Sequence, residues 1–472
     1  MTLADLERDW DVIVVGAGPA GMAAATVTAR AGLRTLVLDE NAGVGGQVWR
    51  AIKSTPVLSR PVLGPDYWAG EEVVRAFEAS GARHLCGATV WSLDRALELG
   101  VSQAGRSRLL SAKRVILATG ALERPFPVPG WTLPGVMTVG GAQTVLKASG
   151  LVPSGRVVLV GLGPLLWLFA HQVLAAGGRI QAILDTSQPE QRREAARHAL
   201  GFLRSSYLAK GLKLMAAVRR RVRVVTGVSD IEVEGAGRAQ AVVYRRGREG
   251  RERMLVDTVL LHQGVVPNVN LAMAAGVVHR WSESQLCFVP DTGSLGQTNV
   301  EGIAVAGDGA GIAGAEAAVA RGELAGVAAA RALRGREDSL PDEAALRRRL
   351  ARYEAARPFL DVLFRPADRF RVPDGSTIVC RCEEVTARDI VEAVQIGPEG
   401  PNQVKSFLRC GMGPCQGRLC GLTVTELIAR TRGVNPGDVG YFRLRPPVKP
   451  VPLAEIAGLE ASEAAVKAVV RS

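Results

Sequence analysis

Five of the chain's seven cysteines fall between positions 380 and 420. The cluster opens as Cys380-Arg381-Cys382-Glu383-Glu384. It closes as Cys410-Gly411-Met412-Gly413-Pro414-Cys415-Gln416-Gly417-Arg418-Leu419-Cys420. A C-x-C pair followed by C-x4-C spacing can point several soft thiolates at one centre, which suits an iron–sulfur cluster or zinc. C-x-C does this from an extended turn, and glycines 411, 413 and 417 give the second pair a flexible loop. A helical stretch, Thr386 to Ile396, fits between the pairs. The cysteines outnumber the four ligands of a [2Fe–2S] cluster. Cys380 and Cys382 make the first pair. Spacing alone leaves Cys415 with Cys420, or Cys410 with Cys415, as the second. A structural zinc site uses the same thiolates. Dithiol catalysis is disfavoured, because no C-x-x-C or C-x4-C pair lies in residues 1–335.

Something upstream must supply electrons if the cluster is redox-active. Asp11-Val12-Ile13-Val14-Val15 reads as a buried strand, followed by Gly16-Ala17-Gly18-Pro19-Ala20-Gly21 and an alanine-rich helix from Met22 to Ala31. A second strand, Thr35 to Leu38, ends at Asp39-Glu40. Strand, G-x-G-x-x-G, helix, strand and acid make a dinucleotide-binding unit. Gly16 allows the tight turn, Gly18 admits the pyrophosphate, and Gly21 lets helix pack close to strand. Asp39 is placed to bond a ribose hydroxyl.

A second motif follows the strand Val157 to Val160 as Gly161-Leu162-Gly163-Pro164-Leu165-Leu166. Leu166 replaces the third glycine, which should displace the helix or force another packing. The next strand ends at Asp185. The fold of a second Rossmann unit is expected, but the damaged fingerprint argues against NAD.

Composition narrows the class. With 472 residues and 47% hydrophobic residues, the chain should hold several globular domains. The net charge of +12 is carried mostly by arginine. Its densest runs, Arg219 to Arg223 and Arg245 to Arg253, have no aromatics interleaved for base stacking, so nucleic acid is not an expected partner. Residues 1–9 carry no basic or apolar leader, and the longest apolar run, Val157 to Ala170, is too short to span a bilayer. No transmembrane segment is expected, and the cysteine usage favours a reducing cytoplasm. The five histidines are scattered and no catalytic residue stands out. No added substrate domain is evident, which favours electron handling over substrate chemistry.

Resemblance sharpens these readings. Gly45-Gly46-Gln47 after the first acid, Ala118-Thr119-Gly120 after a buried strand, and Gly307-Asp308 after another resemble the two-dinucleotide-binding flavoproteins. That likeness implies FAD, with Glu40, Gly46, Gln47, Thr119, Gly120 and Asp308 around it. The tail resembles the small [2Fe–2S] domain of bacterioferritin-associated ferredoxins. In that pattern Gly-Met-Gly, Cys415, Gln416, Gly417 and Cys420 are matched, which implies Cys380, Cys382, Cys415 and Cys420 as ligands. Pro129-Gly130-Trp131 through Gly140-Gly141-Ala142-Gln143 is similar to the α subunits of heteromeric bacterial dehydrogenases, the family of opine oxidases, D-hydroxyproline and proline dehydrogenases and hydrogen cyanide synthase. This implies a β subunit that oxidises an amino acid, opine or other secondary amine on its own FAD. The α subunit then passes electrons through flavin and [2Fe–2S] to a further acceptor. FMN at the subunit interface, peripheral attachment to the inner face of the membrane and a small ferredoxin-like γ subunit stand as further candidates. A stand-alone NAD(P)H-dependent reductase is the competing reading.

The expected architecture is α/β, with two Rossmann-like domains and a small helical [2Fe–2S] domain. The flavin domain takes residues 10–130 and 266–335, around an insertion at 131–265. A connector (336–374), the cysteine domain (375–435) and an extended tail (436–472) follow, the tail placed to lie on another subunit.

Overall fold

The computed structural model describes residues 2–205, 207–247 and 249–459. The chain opens with strand β1 (Asp9–Val15), helix α1 (Pro19–Arg30) and strand β2 (Thr35–Asp39). The apolar runs Val12–Val15 and Leu36–Leu38 of the two strands follow from burial on both faces, the requirement of a parallel sheet under helices. β1 pairs in parallel with β2 on one side and with β3 (Arg106–Leu117) on the other. Arg83–Cys86 adds an edge beside β2, and Ile303–Val305 returns late in the chain to pair with the end of β3. The antiparallel strands Glu98–Gln103 and Thr89–Leu93 complete this seven-stranded sheet.

A second, five-stranded parallel sheet is built from Val136–Thr138, β4 (Val157–Leu162), β5 (Ala182–Asp185), Arg223–Thr226 and β6 (Thr258–Gln263). Helices α2 (Val139–Ser149) and α3 (Pro164–Ala175) cover it. The two Rossmann-like units share one core, in which Val12 and Met22 of the first join Leu159, Leu166 and Phe169 of the second. The basic run from Arg245 belongs to an antiparallel hairpin, Ala241–Arg246 with Arg251–Leu255, whose arginines pair with Asp230, Glu232 and Glu234 of the neighbouring strand. Arg248 lies outside the described residues.

Helix α4 (Ala315–Ala332) packs tightly on α1. A Cβ on its Gly322 would lie 2.1 Å from the carbonyl oxygen of Ala20, so glycine is required for this crossing. The connector forms three helices, Glu343–Glu354, Arg357–Leu363 and Asp368–Arg371. A small helical module follows: the hairpin Ile378–Cys380 with Val385–Thr386, then α5 (Ala387–Ile396), α6 (Pro401–Leu408) and α7 (Gly421–Arg432). The Thr386 hydroxyl caps α5 and the Asp389 carboxylate returns the bond, a capping box that fixes where the helix starts.

The tail differs from its expected form. It carries short helical turns at Pro436–Val439 and Leu453–Ala457, and its extended middle lies on this chain's own first sheet. Residues 460–472 of the expected tail lie outside the described residues. No helix among the described residues is long and apolar enough to cross a membrane.

Candidate functional site

The first nucleotide loop is held open by close backbone approaches. Gly16 has φ +106°, and a Cβ there would lie 2.4 Å from the Ala118 carbonyl oxygen. A Cβ on Gly21 would sit 1.8 Å from the Gly16 oxygen, and one on Gly46 would meet the Gly18 Cα at 2.9 Å. Gly18 differs: its nearest neighbour would be Gly46 Cα at 3.7 Å, an ordinary contact. Packing therefore does not demand glycine at 18. What glycine preserves there is room on the cavity side, as a dinucleotide phosphate requires.

A cavity of about 1960 Å³ opens at this loop. It is larger than the roughly 300–1,000 Å³ typical of a drug-sized ligand. Gly16, Gly18, Pro19, Ala20, Asp39, Glu40, Gly46, Gln47, Thr119, Gly120 and Asp308 all line it. Gly21 does not, which agrees with a role in helix packing. Asp39 is buried: its carboxylate accepts from the Ala17 amide at 2.5 Å and from the backbone and side chain of Asn41 at 2.7 Å. It shapes the loop, and Glu40 beside it is the exposed acid. Asp308 accepts from the amides of Ala313 and Gly314 at 2.9 and 3.0 Å, setting the turn that starts α4. The open glycine turn, the helix N-terminus and the cavity fit a dinucleotide.

The second motif is built differently. Leu166 is fully buried among Leu159 and Phe169, so α3 stands where a leucine fits and not where glycine would bring it. Asp185 is buried and accepts from Ser187, through its amide at 2.9 Å and its hydroxyl at 2.5 Å. Gly163 and Leu165 nevertheless border the large cavity.

Three cavity residues escaped the sequence reading because they belong to no motif. His262 Nδ1 lies 2.6 Å from Glu123 Oε1, and Glu123 Oε2 accepts from the Gly140 amide at 2.9 Å. Lys147 of α2 is buried and donates to the carbonyls of Gln47 and Val48 at 3.1 and 2.9 Å and to Gln143 at 2.9 Å. A lysine and a glutamine one turn apart on the buried face of α2, Lys147 and Gln143, were the available signal. Lys147 thus ties the second Rossmann unit to the end of the Gly45-Gly46-Gln47 turn.

Burial, helped by Arg50, pulls the Lys147 ammonium down to about 7. Between pH 7 and the ordinary lysine range the unfolded chain holds a proton that the folded chain lacks, so stability rises with pH across that window. The penalty is present in full below pH 7. Thermal melts of wild type and Lys147→Met should therefore diverge, with wild type gaining on the order of 1–2 kcal/mol relative to the variant from pH 7 to 9. A difference that stays flat with pH would show that the three carbonyl acceptors keep the ammonium charged throughout.

The cysteine module gathers all five thiols. Cys380, Cys410 and Cys420 are buried, with their sulfur atoms within 4.8 Å of one another. Cys415 is half-buried and meets both Cys420 and Cys382. Hydrogen bonds from Cys410 and Cys420 pull the Cys380 thiol well below its usual range. The expected ligands Cys380, Cys382, Cys415 and Cys420 are thus brought together, and Cys410 joins them. Glycine serves here for close approach more than for flexibility. A Cβ on Gly413 would lie 2.2 Å from that of Cys382, and Cβ atoms on Gly411 and Gly417 would strike the Phe442 ring at 2.5 and 2.7 Å. A nest of soft donors under a tight loop fits an iron–sulfur cluster or zinc by ligand chemistry.

Several contacts dock the module. Arg371 and Glu426 form a buried ion pair, and Trp131 Nε1 donates to the Ile378 carbonyl at 2.7 Å, with Arg381 over the Trp131 ring. The cysteine loop also reaches the cavity. Arg418 lines it, and Asn270 donates to the Gln416 carbonyl at 2.8 Å.

A dinucleotide cradle continuous with a second Rossmann unit defines a two-dinucleotide-binding fold of the oxidoreductase class. The pyridine nucleotide-disulphide oxidoreductase model matches residues 10–332, and the sarcosine oxidase A3 domain matches residues 374–459. An opine oxidase subunit of Agrobacterium tumefaciens is 48% identical, covering 98% of this chain and 95% of its own. The hydrogen cyanide synthase subunit HcnB of Pseudomonas aeruginosa is 32% identical, covering 95% of this chain and 98% of its own. Among solved structures, the L-proline dehydrogenase from P. horikoshii superposes with a TM-score of 0.71 at 20% identity, over 94% of this chain and 78% of that one. The chain belongs to the family of α subunits of heteromeric FAD-dependent oxidases that contains this opine oxidase subunit.

Proposed function

We propose that this chain is the electron-transfer subunit of a heteromeric flavin-dependent dehydrogenase. A β subunit oxidises the substrate, an amino acid, opine or other secondary amine, on its own FAD. A flavin accepts two electrons and releases them singly and a [2Fe–2S] cluster accepts one, so the pair converts a hydride's electrons into single ones for a downstream acceptor. FMN at the interface is a further candidate, as is a small ferredoxin-like γ subunit.

One observation carries the reading: the loop bearing Cys415 and Cys420 borders the cavity that the first nucleotide motif opens, through Arg418. Within the chain, Gly16 to Ala20 hold the pyrophosphate, and Gln47 is steadied by Lys147 beside the expected ring site. Cys380, Cys382, Cys415 and Cys420 hold the cluster. The family resemblance and the names of the relatives support a C–N bond as the oxidised group and a partner that oxidises it. No catalytic base is assigned to this chain.

The competing NAD(P)H reductase reading needs the second motif to bind nicotinamide nucleotide. Buried Leu166, standing where the first motif has Gly21, argues against it. Mixing NADH or NADPH with the isolated chain in a stopped-flow spectrometer should leave the flavin band unbleached over seconds. Rapid bleaching by either would overturn the relay reading in favour of the reductase.

A further inference from the structure

The extended middle of the tail lies at the acid end of the first Rossmann unit. The Val448 amide donates to the Trp91 carbonyl at 2.8 Å, and its side chain is buried with Val90 and Leu93. Lys449 lines the cavity together with Asp39 and Glu40, and its ammonium pairs with Glu40. Arg418, between Cys415 and Cys420, donates to the Val448 carbonyl at 3.2 Å.

We propose that Val448 and Lys449 form a strap that completes the adenosine end of the FAD site, with Lys449 as its positioning residue. This inference rests on the reading of the first motif as an FAD site. β2 ends in two adjacent carboxylates, Asp39 and Glu40, at the rim that a dianionic pyrophosphate must approach. Unpaired, they repel it. Lys449 offsets that charge and fixes the Glu40 carboxylate, the exposed acid, for a ribose hydroxyl. Burial lowers the Lys449 ammonium below its ordinary range, and Asp39 opposes that shift, so the lysine is held where desolvated charge matters. Because Arg418 links strap and cysteine loop, the flavin site is completed only once the cysteine module has docked.

The test uses full-length protein stripped of flavin and titrated with FAD by fluorescence quenching. Lys449→Met should weaken FAD by about tenfold or more, and Lys449→Arg should stay within a few-fold of wild type. The wild-type affinity should fall on raising salt to about 0.5 M, where charges are strongly screened, and the Met variant should lose most of that dependence. Iron per chain reports on the module separately. Wild-type FAD affinity and salt dependence in Lys449→Met overturn the proposal. So does equal weakening in Lys449→Arg, which would make the contribution one of packing. Wild-type protein that takes up no FAD at all would instead refute the underlying cofactor reading.

Discussion

Gly21→Ala purifies without flavin. The expected loss in FAD affinity is on the order of 100-fold or more, about 2.7 kcal/mol. The reason is local and steric. A methyl group at 21 would lie 1.8 Å from the Gly16 carbonyl oxygen and 3.2 Å from the Ala118 Cβ. Neither neighbour is the far end of a flexible side chain, so α1 must move away from β1. A pyrophosphate bound as proposed would depend on that helix end and on the Gly16 turn together, and moving one relative to the other would spoil the site. Gly21 lines no part of the cavity, so the variant removes no direct contact. The readout is the ratio of flavin to protein absorbance after gel filtration, with far-ultraviolet circular dichroism to confirm the fold. Stoichiometric FAD in this variant would refute the close-packing role.

The second motif supplies the internal control. Leu166 occupies the corresponding position and is fully buried. Shortening it to alanine should cost roughly 2–5 kcal/mol of stability through lost contacts and a cavity. It should leave the flavin ratio of the surviving folded protein unchanged. One position in two related units thus has opposite needs: no side chain where the helix packs directly against the glycine turn, and a large apolar one where the helix packs through it.

The division between what sequence displayed and what it concealed follows interaction range. Gly16, Gly18, Gly21 and Asp39 lie within one βαβ unit, and their spacing displays them, whereas Gly46 beyond it was legible only through resemblance. The two Rossmann-like sheets were legible for the same reason, since apolar strands alternate with helices at regular intervals. Lys147, Glu123 and His262 act across units far apart in the chain. Lys147 reaches Gln47 from a separate helix, and no local pattern encodes that contact. Lys449 meets Glu40 across almost the whole chain. Its proline-rich surroundings suggested an extended tail, yet extension alone could not say which surface the tail covers. Asp39 shows a subtler limit. Its position was legible, but its oxygens are taken up by Ala17 and Asn41, a fact that only three-dimensional neighbours reveal.

Spacing was weakest at the cysteines, where two C-x4-C pairs overlap; both Cys410 and Cys420 lie against Cys380, and the thiol contacts suggest an experiment that separates them. The Cys420 thiol meets Cys380, Cys410 and Cys415. The Cys410 thiol bonds to Cys380 and Cys420, while Cys382 meets Cys415. Removing Cys410 leaves an unbroken chain of contacts from Cys380 through Cys420 and Cys415 to Cys382. Removing Cys420 separates Cys380 from the Cys382–Cys415 pair. Cys420→Ala should therefore lose most of its iron, to about a tenth of wild type or less, with loss of the thiolate-to-iron absorption and of the electron paramagnetic resonance signal after reduction. Cys410→Ala should keep wild-type iron and both signals. Metal binding to a small module contributes directly to its folding, so Cys420→Ala should also melt at lower temperature than Cys410→Ala. Iron retained in Cys420→Ala and lost in Cys410→Ala would exchange the ligand set. Stoichiometric zinc in wild-type protein would remove the electron outlet altogether. If the expected order holds, Cys410 is a buried thiol beside the cluster, and its place against Cys380 makes it a donor able to shift the cluster potential without holding iron.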